Sequence, residues 1–403
     1  MTKEKAVRYC EGIIVFSLLV MIFFFASSNA LVSTGICFAI FFWLTKKALT
    51  KEWKLPNTAL NIPIFIFILV SILSMVNSIN ITESLIGLRK LVMYICLYFV
   101  IVDSLTNKRR FNWVIWTVIL VAGIVSLDGF FQFFSGKDLM RGRSLMLPGE
   151  GIKRVTAAFE QAGTLGIYLG TLIPIVVSLT LYHFSGKKKL LIGLWAVFML
   201  LCLALSLAPG AVFGFYAAML FFIILKLDMR LLIVLIIGII LAWFILPSVL
   251  IHWPEGVMFA SIRARIYMCQ IATRMIKIHP FLGMGLHTFP INYRRYLLPG
   301  EPFYETEMLP YAHNIYFHMA VEIGLIGLAV FIWLLVTLIR GWNSGYKKSE
   351  SSYLKALSLG LLGGIIAFLT HGMLESSLYM SQGGILFWFM IGLTVSIQRI
   401  ISP

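Results

Sequence analysis

Acidic residues are scarce in this chain of 403 residues, which has 17 Asp and Glu against 33 Lys and Arg. The sequence has no Asp-x-Asp pair to hold a divalent metal for a nucleotide-sugar donor, no Walker loop and no Rossmann glycine fingerprint. These absences argue against soluble nucleotide substrates. We expect neither a metal site nor a cofactor.

Cysteine is also rare, with five residues. Three of them lie inside apolar segments, and none has the spacing of a metal ligand set. An odd number of scattered cysteines predicts no disulfide framework. The five positions are Cys10, Cys37, Cys96, Cys202 and Cys269.

Hydrophobic residues are in excess and make up 60% of the chain, whereas soluble globular proteins have about 45–50%. The composition therefore predicts a polytopic membrane protein. The formal net charge of +16 comes from short basic clusters between apolar segments, not from one basic domain, so we do not expect nucleic-acid binding. The first apolar segment has no small-residue cleavage site after it and is interpreted as a retained first span.

Apolar stretches of membrane-spanning length, roughly 20 residues each, predict an all-α protein of about twelve transmembrane helices. We treat residues 1–403 as a single transmembrane domain. The predicted spans are 11–27, 30–45, 59–77, 83–104, 111–134, 163–184, 188–207, 210–226, 230–251, 313–339, 354–373 and 380–399.

Short basic loops alternate with nearly uncharged turns, which sets the expected orientation, since cytoplasmic loops carry an excess of Lys and Arg. Both termini are predicted to be cytoplasmic. The basic groups are Lys3, Lys5 and Arg8; Lys46, Lys47, Lys51 and Lys54; Lys108 to Arg110; Lys187 to Lys189; Lys226 and Arg230; and Arg340, Lys347 and Lys348.

Two connections on the outer side are basic as well. The first runs from Ser135 to Ala162 and includes Arg154. The second, residues 252–312, lies between predicted helices 9 and 10 and includes Arg263 and Arg265. Positive charge on the translocated side opposes the usual bias and predicts an anionic ligand there. The alternative is that long loops escape the rule and that these charges are only solvated.

Within residues 252–312, the segment Ser261 to Ile278 has the periodicity of an amphipathic helix. Its predicted polar face carries Arg263, Tyr267, Gln270, Arg274 and Lys277, and its apolar face carries Ile262, Ile266, Cys269 and Ile276. Such a helix would lie on the outer leaflet and end at Pro280. Together with a glycine turn and a short helix after it, this helix is predicted to form a lid over a cleft in the membrane.

Two more basic residues, Arg89 and Lys90, fall inside the outer half of the fourth span. They have little room to reach the surface, so we expect them to face a polar cavity and bind substrate. The alternative is pairing with a carboxylate such as Glu83 or Asp128.

The tenth span begins with the polar sequence YAHN, which places His313 and Asn314 at the membrane surface. Helical steps from Asn314 reach His318 and Glu322, a polar stripe of functional candidates. Steps from His313 meet residues of diminishing bulk that would admit a neighbouring helix, namely Phe317, Ala320, Gly324 and Gly327. The alternative for the start of this span is a capped helix, with Asn314 as the N-cap and His313 as an ordinary interfacial histidine.

Between about Arg263 and Leu328, an arginine helix leads into HPFLGMG and then YAHNIYFHMAVEIGLIGL. With about twelve spans and a long outer loop before the tenth, this sequence resembles the O-antigen ligase family of bacterial inner membranes. That family also contains O-antigen polymerases and protein O-oligosaccharyltransferases. The resemblance implies transfer of a glycan from an undecaprenyl-pyrophosphate donor to an acceptor hydroxyl at the periplasmic face, for a ligase the lipid A core sugar.

The resemblance also implies roles for particular residues. The family's essential histidine matches His313, and its arginine before the glycine turn matches Arg265. We therefore assign His313 as general base or acceptor-orienting group, and Arg265 and Arg263 as ligands of the pyrophosphate. Asn314 is expected to contact substrate. Membrane lipids surround the protein, and the long lipid tail of the donor would enter between helices.

One position departs from the family pattern. Members commonly carry Ser-Arg-Gly-Ala at the outer end of the eighth helix, and here residues 208–211 read Ala-Pro-Gly-Ala. Either another basic residue, such as Arg89, Lys90 or Arg154, supplies the missing charge, or the chain is weakened or has diverged in substrate.

Two other classes of protein would fit the same composition. A transporter or flippase commonly has about twelve helices and would use a basic cavity as its substrate path. The sequence shows no inverted repeat with paired broken helices. A structural scaffold is the other class, but it would leave the basic outer loop without a role.

Overall fold

A computed structural model describes residues 2–145, 154–226, 255–298 and 311–401. These residues form thirteen α-helices and no strand. The helices are α1 (Lys3–Phe23), α2 (Asn29–Thr50), α3 (Asn61–Leu73), α4 (Ile81–Ser104), α5 (Lys108–Ser135), α6 (Ala162–Tyr182), α7 (Gly186–Leu205), α8 (Pro209–Lys226), α9 (Glu255–Ile278), α10 (Phe289–Asn292), α11 (Ile315–Lys348), α12 (Ser352–His371) and α13 (Ser381–Ile401).

In the described part of the chain, ten of these helices are long and apolar enough to cross a membrane. The predicted all-α, multi-pass class is therefore confirmed. The span predicted at 59–77 is a shorter apolar element, α3 followed by a 3-10 turn, Ser74–Asn77. The span predicted at 230–251 lies outside the described residues, so the count of about twelve stays a prediction.

Ion pairs join one end of the bundle. Arg110 contacts Glu11 at 2.7 Å, and Lys47 contacts Asp103 at 3.1 Å. Because Lys46 also contacts Glu11 at 3.2 Å, these pairs link α1, α2, α4 and α5. At the same end, Arg399 of α13 donates a hydrogen bond to a backbone carbonyl of α4. The first helix therefore begins, and the last helix ends, on one side of the molecule, as the alternation of basic loops predicts.

Small residues let α6, α8 and α12 approach closely in the core of the bundle. A Cβ at Gly364 of α12 would lie 2.3 Å from the carbonyl oxygen of Thr171 in α6, and a Cβ at Gly214 of α8 would lie 2.3 Å from that of Ala367. Such contacts are typical of membrane helices, where close packing replaces the hydrophobic effect as the driving force for association.

Helix α11 is broken at Gly324, whose φ of 73° and ψ of 176° are not helical. The segment Pro280–Gly285 fills the break. The N–H groups of Met284 and Gly285 donate to the carbonyls of Val321 and Glu322 at 2.9 and 3.0 Å. In return, the N–H groups of residues 325 and 326 donate to the carbonyls of residues 280 and 281. The backbone groups freed by the break are thus paired with a loop.

This break corrects one prediction. Gly324 was expected to admit a neighbouring helix, but a Cβ there would lie 2.0 Å from the carbonyl oxygen of Phe281, so its neighbour is the glycine turn. The predicted turn itself is real, because Gly283 and Gly285 both have positive φ, 71° and 97°. Asn77 also donates to the Gly283 carbonyl at 3.0 Å and ties the turn to the end of α3.

Helix α9 is amphipathic and ends at Ile278 before Pro280, as predicted, but it begins at Glu255. One residue of the predicted polar face is misplaced, because Tyr267 is buried. Ile262 and Ile266 of the predicted apolar face are exposed, and their contact with the outer leaflet stays a prediction. The buried face joins a small core with the glycine turn and α11, made of Tyr267, Met268, Ile271, Ala272, Met275, Met284, Phe289, Tyr293, Ala312 and Val321.

We expect Gly324→Ala to destabilise the protein, because the φ and ψ of Gly324 fall in a region that is essentially open only to glycine. The cost of that backbone conformation is about 1–3 kcal/mol, before any clash with Phe281 is counted. The midpoint of thermal unfolding in detergent measures the effect.

Gly136→Ala is the matched control. Gly136 also has positive φ, 83°, but a Cβ there would meet nothing within 4 Å. Equal losses of stability for the two variants would contradict the interpretation that Pro280–Gly285 is packed into the break.

Candidate active site

A single carboxylate, that of Glu375, binds both residues that the sequence predicted as catalytic. Its Oε1 lies 2.7 Å from a terminal guanidinium nitrogen of Arg265, and its Oε2 lies 3.0 Å from Nδ1 of His313. The three side chains come from α9, from the segment before α11 and from the turn 372–380 between α12 and α13. We call these three residues the Glu375 cluster.

Backbone hydrogen bonds hold the turn 372–380 against the start of α11. The N–H of Ile315 donates to the Gly372 carbonyl at 2.8 Å, and the N–H of Asn314 donates to Ser376 Oγ at 3.2 Å. Arg265 also donates through Nε to the Leu374 carbonyl at 3.3 Å. The position of Glu375 is therefore set by its neighbours on both sides.

Asn314 is the N-cap of α11, which confirms this part of the capped-helix interpretation. Its Oδ1 accepts from the N–H groups of Tyr316 and Phe317 at 2.9 and 3.1 Å, and its Nδ2 donates to the Met373 carbonyl at 3.0 Å. The side chain thus satisfies helix donors that would otherwise be unpaired and braces the turn. The substrate contact expected of Asn314 stays a prediction.

His313 is held in an uncommon conformation. Its φ is 51°, in the left-handed region that residues other than glycine seldom adopt. Such strain is kept only where the surroundings enforce it, and it is frequent at functional sites. With Nδ1 hydrogen-bonded to a carboxylate, the neutral ring carries its proton on Nδ1 and presents the lone pair of Nε2. Within the described residues, Nε2 has no hydrogen-bond partner.

Glu375 is ionised at neutral pH. Burial raises the pKa of its carboxyl, but the hydrogen bond from His313 and the charges of His313 and Arg265 outweigh that effect and lower the pKa to about 2. The carboxylate therefore keeps its negative charge throughout the range in which a histidine titrates.

The side chain of Arg154, which we predicted to bind substrate, contacts the backbone just before α8. It donates through Nε to the Ser206 carbonyl at 3.2 Å and through a terminal nitrogen to the Leu207 carbonyl at 3.1 Å. Burial lowers the pKa of its guanidinium, while the charge of Glu375 raises it and that of Arg265 lowers it. Arg154 is thus near the Glu375 cluster, and it sits directly beside residues 208–211, where the family arginine is missing.

The other predicted basic residues are not part of this cluster. Arg263 is exposed and lies about 200° around α9 from Arg265, since successive residues of a helix are about 100° apart. Arg89 is also exposed, and neither side chain has a hydrogen bond or ion pair in the described part of the chain. Their substrate contacts stay predictions.

Lys90 belongs to a second polar cluster in the N-terminal half of α4. Its Nζ lies 3.2 Å from Nε2 of His287, and Nδ1 of His287 lies 3.0 Å from a carboxylate oxygen of Glu83. Lys90 and Glu83 are therefore not paired directly, as the alternative predicted, but each contacts His287, which lies between them. The other suggested partner, Asp128, instead accepts from the N–H of Leu139 at 2.7 Å.

The predicted polar stripe below Asn314 exists and is buried. His318 Nε2 lies 3.2 Å from Glu322 Oε1, and the His318 ring stacks on Tyr379 with centroids 3.8 Å apart. The N–H of Ala312 reaches His318 Nδ1 at 3.5 Å. This pair therefore supports the backbone just before His313 from below.

Sequence reasoning missed Glu375. The sequence does contain a signal for it. Glu375 is the one charged residue among Asp, Glu, Lys and Arg between His371 and Met380, a stretch on the predicted outer side. An unpaired carboxylate beside a strongly basic outer loop is a candidate partner for one of its arginines.

A comparison with known protein families matches residues 158–332 to the O-antigen ligase family. Residues 158–332 are therefore similar to that family, and the resemblance inferred from the sequence is confirmed for this range. The matched range contains Arg265 and His313, whereas Glu375 and Arg154 lie outside it. Among curated proteins, none matches this chain.

We expect Glu375→Gln to destabilise the protein, because the amide keeps the size of the side chain but removes the charge shared by Arg265 and His313. Hydrogen bonds to charged groups contribute about 1.5–3 kcal/mol each. Since the pKa of Glu375 is depressed from 4.5 to about 2, the stability it contributes is complete above pH 4.5 and is lost as the pH falls towards 2. Unfolding measured between pH 3 and pH 8 tests this dependence.

The control is Glu160→Gln, which removes an exposed carboxylate 3.2 Å from Arg143 on the same side. Exposed pairs contribute little, so this variant should unfold close to the wild type. If the wild type and Glu375→Gln unfold at the same midpoint at pH 7, Glu375 does not stabilise the protein through Arg265 and His313.

Proposed function

We propose that this protein transfers a glycan from an undecaprenyl-pyrophosphate donor to an acceptor hydroxyl at the periplasmic face of the bacterial inner membrane. The acceptor we favour is the sugar core of lipid A. The observation that carries the proposal is the convergence of His313 and Arg265 on Glu375, in a chain whose residues 158–332 are similar to the O-antigen ligase family.

The reaction needs a base on one side of the sugar and positive charge on the other. The acceptor oxygen attacks the anomeric carbon, and its proton moves to Nε2 of His313. The bond between that carbon and the pyrophosphate oxygen breaks, and its electron pair leaves on undecaprenyl pyrophosphate. The imidazolium that forms lies 3.0 Å from the Glu375 carboxylate, which stabilises it. The histidine then returns its proton to water.

Positive charge for the leaving group comes from arginine in this proposal. Arg265 and the neighbouring Arg154 together carry two positive charges against the one negative charge of Glu375, so this region attracts an anion before His313 is protonated. A guanidinium binds phosphate oxygens through a planar pair of N–H groups and takes the place of a metal ion. Because the pyrophosphate already activates the sugar, no nucleotide is required.

Related acceptors would use the same residues. A growing polysaccharide would make the protein an O-antigen polymerase, and a protein hydroxyl would make it an O-oligosaccharyltransferase. The proposed roles of His313, Arg265 and Glu375 are identical in the three cases, because only the molecule that supplies the hydroxyl changes.

A lipid flippase is the second candidate, favoured by the break in α11, since transporters often bind substrate at broken helices. In this chain the break is occupied by Pro280–Gly285, whose hydrogen bonds use the backbone groups that would bind a substrate or ion. Transfer of glycan to an acceptor, measured with purified protein, distinguishes the two candidates.

We expect His313→Ala to abolish transfer while leaving donor binding largely intact, and to lower the unfolding midpoint because the hydrogen bond to Glu375 is lost. Arg265→Ala should lower the rate roughly ten- to a hundredfold, equivalent to about 1.5–3 kcal/mol. Arg265→Lys should also be impaired, since a point charge does not reproduce the planar fork. The rate of glycan transfer to a purified acceptor is the measurement.

Lys277→Ala is the control on the same helix, because Lys277 is exposed in the last turn of α9. It should transfer at the wild-type rate. Near-normal transfer by His313→Ala would remove the histidine from the reaction, and flippase activity would then be the better explanation of the basic residues.

Arg154 is proposed to replace the arginine that relatives carry at position 209. We expect Arg154→Ala to slow transfer roughly tenfold or more. Adding Pro209→Arg to that variant should restore part of the rate, whereas Pro209→Arg in the wild type should lower it by crowding like charges. No change in rate for all three variants would show that this end of α8 does not touch the donor.

A further inference from the structure

A cavity of about 210 Å³ lies far from the Glu375 cluster. It is formed where the segment before α3 meets the last turns of α11 and α13. Its walls include Thr58, Thr337, Gly341, Gln398 and Arg399. Helix α11 starts beside the Glu375 cluster and reaches the cavity at Thr337, roughly 30 Å further on at 1.5 Å per residue. The cavity therefore belongs to the end of the bundle that carries the ion pairs of Glu11 and Asp103.

The charge in this cavity is positive. Arg399 donates through one terminal nitrogen to the Val102 carbonyl at 2.9 Å, which fixes the direction of its guanidinium. Its Nε and its other terminal nitrogen have no hydrogen-bond partner among residues that the structure describes. The residues that line the cavity there include no Asp or Glu. An oriented guanidinium with unused donors and no carboxylate beside it is suited to bind an anion.

Hydrogen bonds hold one wall of the cavity rigid. Thr58 lies 2.6 Å from Asn61 Oδ1 and 2.9 Å from the hydroxyl of the buried Tyr98, so its side chain is held in place. The cavity is thus built before any ligand arrives.

We propose that this cavity binds a phosphate oxyanion, with Arg399 as its counter-charge. The depth of the cavity in the membrane points to the source. It lies where α3 begins and α13 ends, at the level of lipid head groups, and on the side to which short basic loops assign the cytoplasm. The inner leaflet is rich in anionic lipids, so a lipid phosphate is the source we favour over free phosphate.

The site is independent of glycan transfer, because it touches no residue of the Glu375 cluster and lies at the other end of the bundle. A bound lipid phosphate would join α3, α11 and α13 at their cytoplasmic ends. We therefore expect the bound phosphate to change the stability of the protein. A failure of this proposal would not count against the proposed transfer reaction, and a failure of the transfer reaction would not count against this site.

The test uses the full chain in detergent and follows its thermal unfolding as lipid or phosphate is added. Phosphatidylglycerol should raise the midpoint, whereas phosphatidylcholine, whose phosphate is paired with its own choline, should raise it much less. Inorganic phosphate and glycerol 3-phosphate form a second arm. Stabilisation by these at equal concentration would assign the site to a free anion, and stabilisation by phosphatidylglycerol alone would assign it to lipid.

Two variants locate the site. Arg399→Gln should weaken the effect of phosphatidylglycerol about tenfold or more in lipid concentration. Thr337→Leu should do the same by filling the cavity, and it leaves the bond between Arg399 and Val102 intact should Arg399→Gln fail to fold. Arg340→Gln removes an exposed charge at the same end of the bundle and should respond as the wild type does.

The proposal is overturned if Thr337→Leu responds to phosphatidylglycerol as strongly as the wild type. It is equally overturned if neither phosphatidylglycerol nor inorganic phosphate shifts the wild-type midpoint.

Discussion

The site rests on one shared carboxylate. Each oxygen of Glu375 takes a different partner, Arg265 on one side and His313 on the other, so the carboxylate fixes the distance between the proposed base and a positive charge. Neither partner is close to it in sequence. The bundle has to bring α9, the start of α11 and the turn after α12 together before the cluster exists, which makes Glu375 the residue that converts the fold into a site.

The break in α11 also helps to hold Arg265 next to Glu375. Because Gly324 releases the backbone and Pro280–Gly285 pairs with it, the chain that leaves α9 is anchored to α11 by four backbone hydrogen bonds. Helix α9 then packs along α11 through its buried face and carries Arg265 to the turn 372–380. The His318–Glu322 pair braces the other approach, next to Ala312. The segment predicted to form a lid is therefore bonded to α11.

Much of this could be predicted from the sequence, for identifiable reasons. Membrane helices leave long apolar runs, so most spans were placed within a few residues, and Asn314 was recognisable as an N-cap because its side chain acts locally. Gly324 and Tyr267 were misplaced, because a regular helical period cannot reveal where a helix breaks or which face a neighbouring loop covers. Glu375 and the position of Arg154 depend on contacts between segments far apart in the chain, and those follow only from the folded bundle.

The central claim is that Glu375 acts through Arg265 and His313 as one unit, and a double-mutant cycle tests it most directly. Rates of glycan transfer would be measured for Arg265→Gln, Glu375→Gln and the double variant in the same purified system. If the carboxylate works through the arginine and the histidine, the double variant should be no slower than about the slower single variant. Losses that multiply, so that the double variant is slower by the product of the two single effects, would contradict the account.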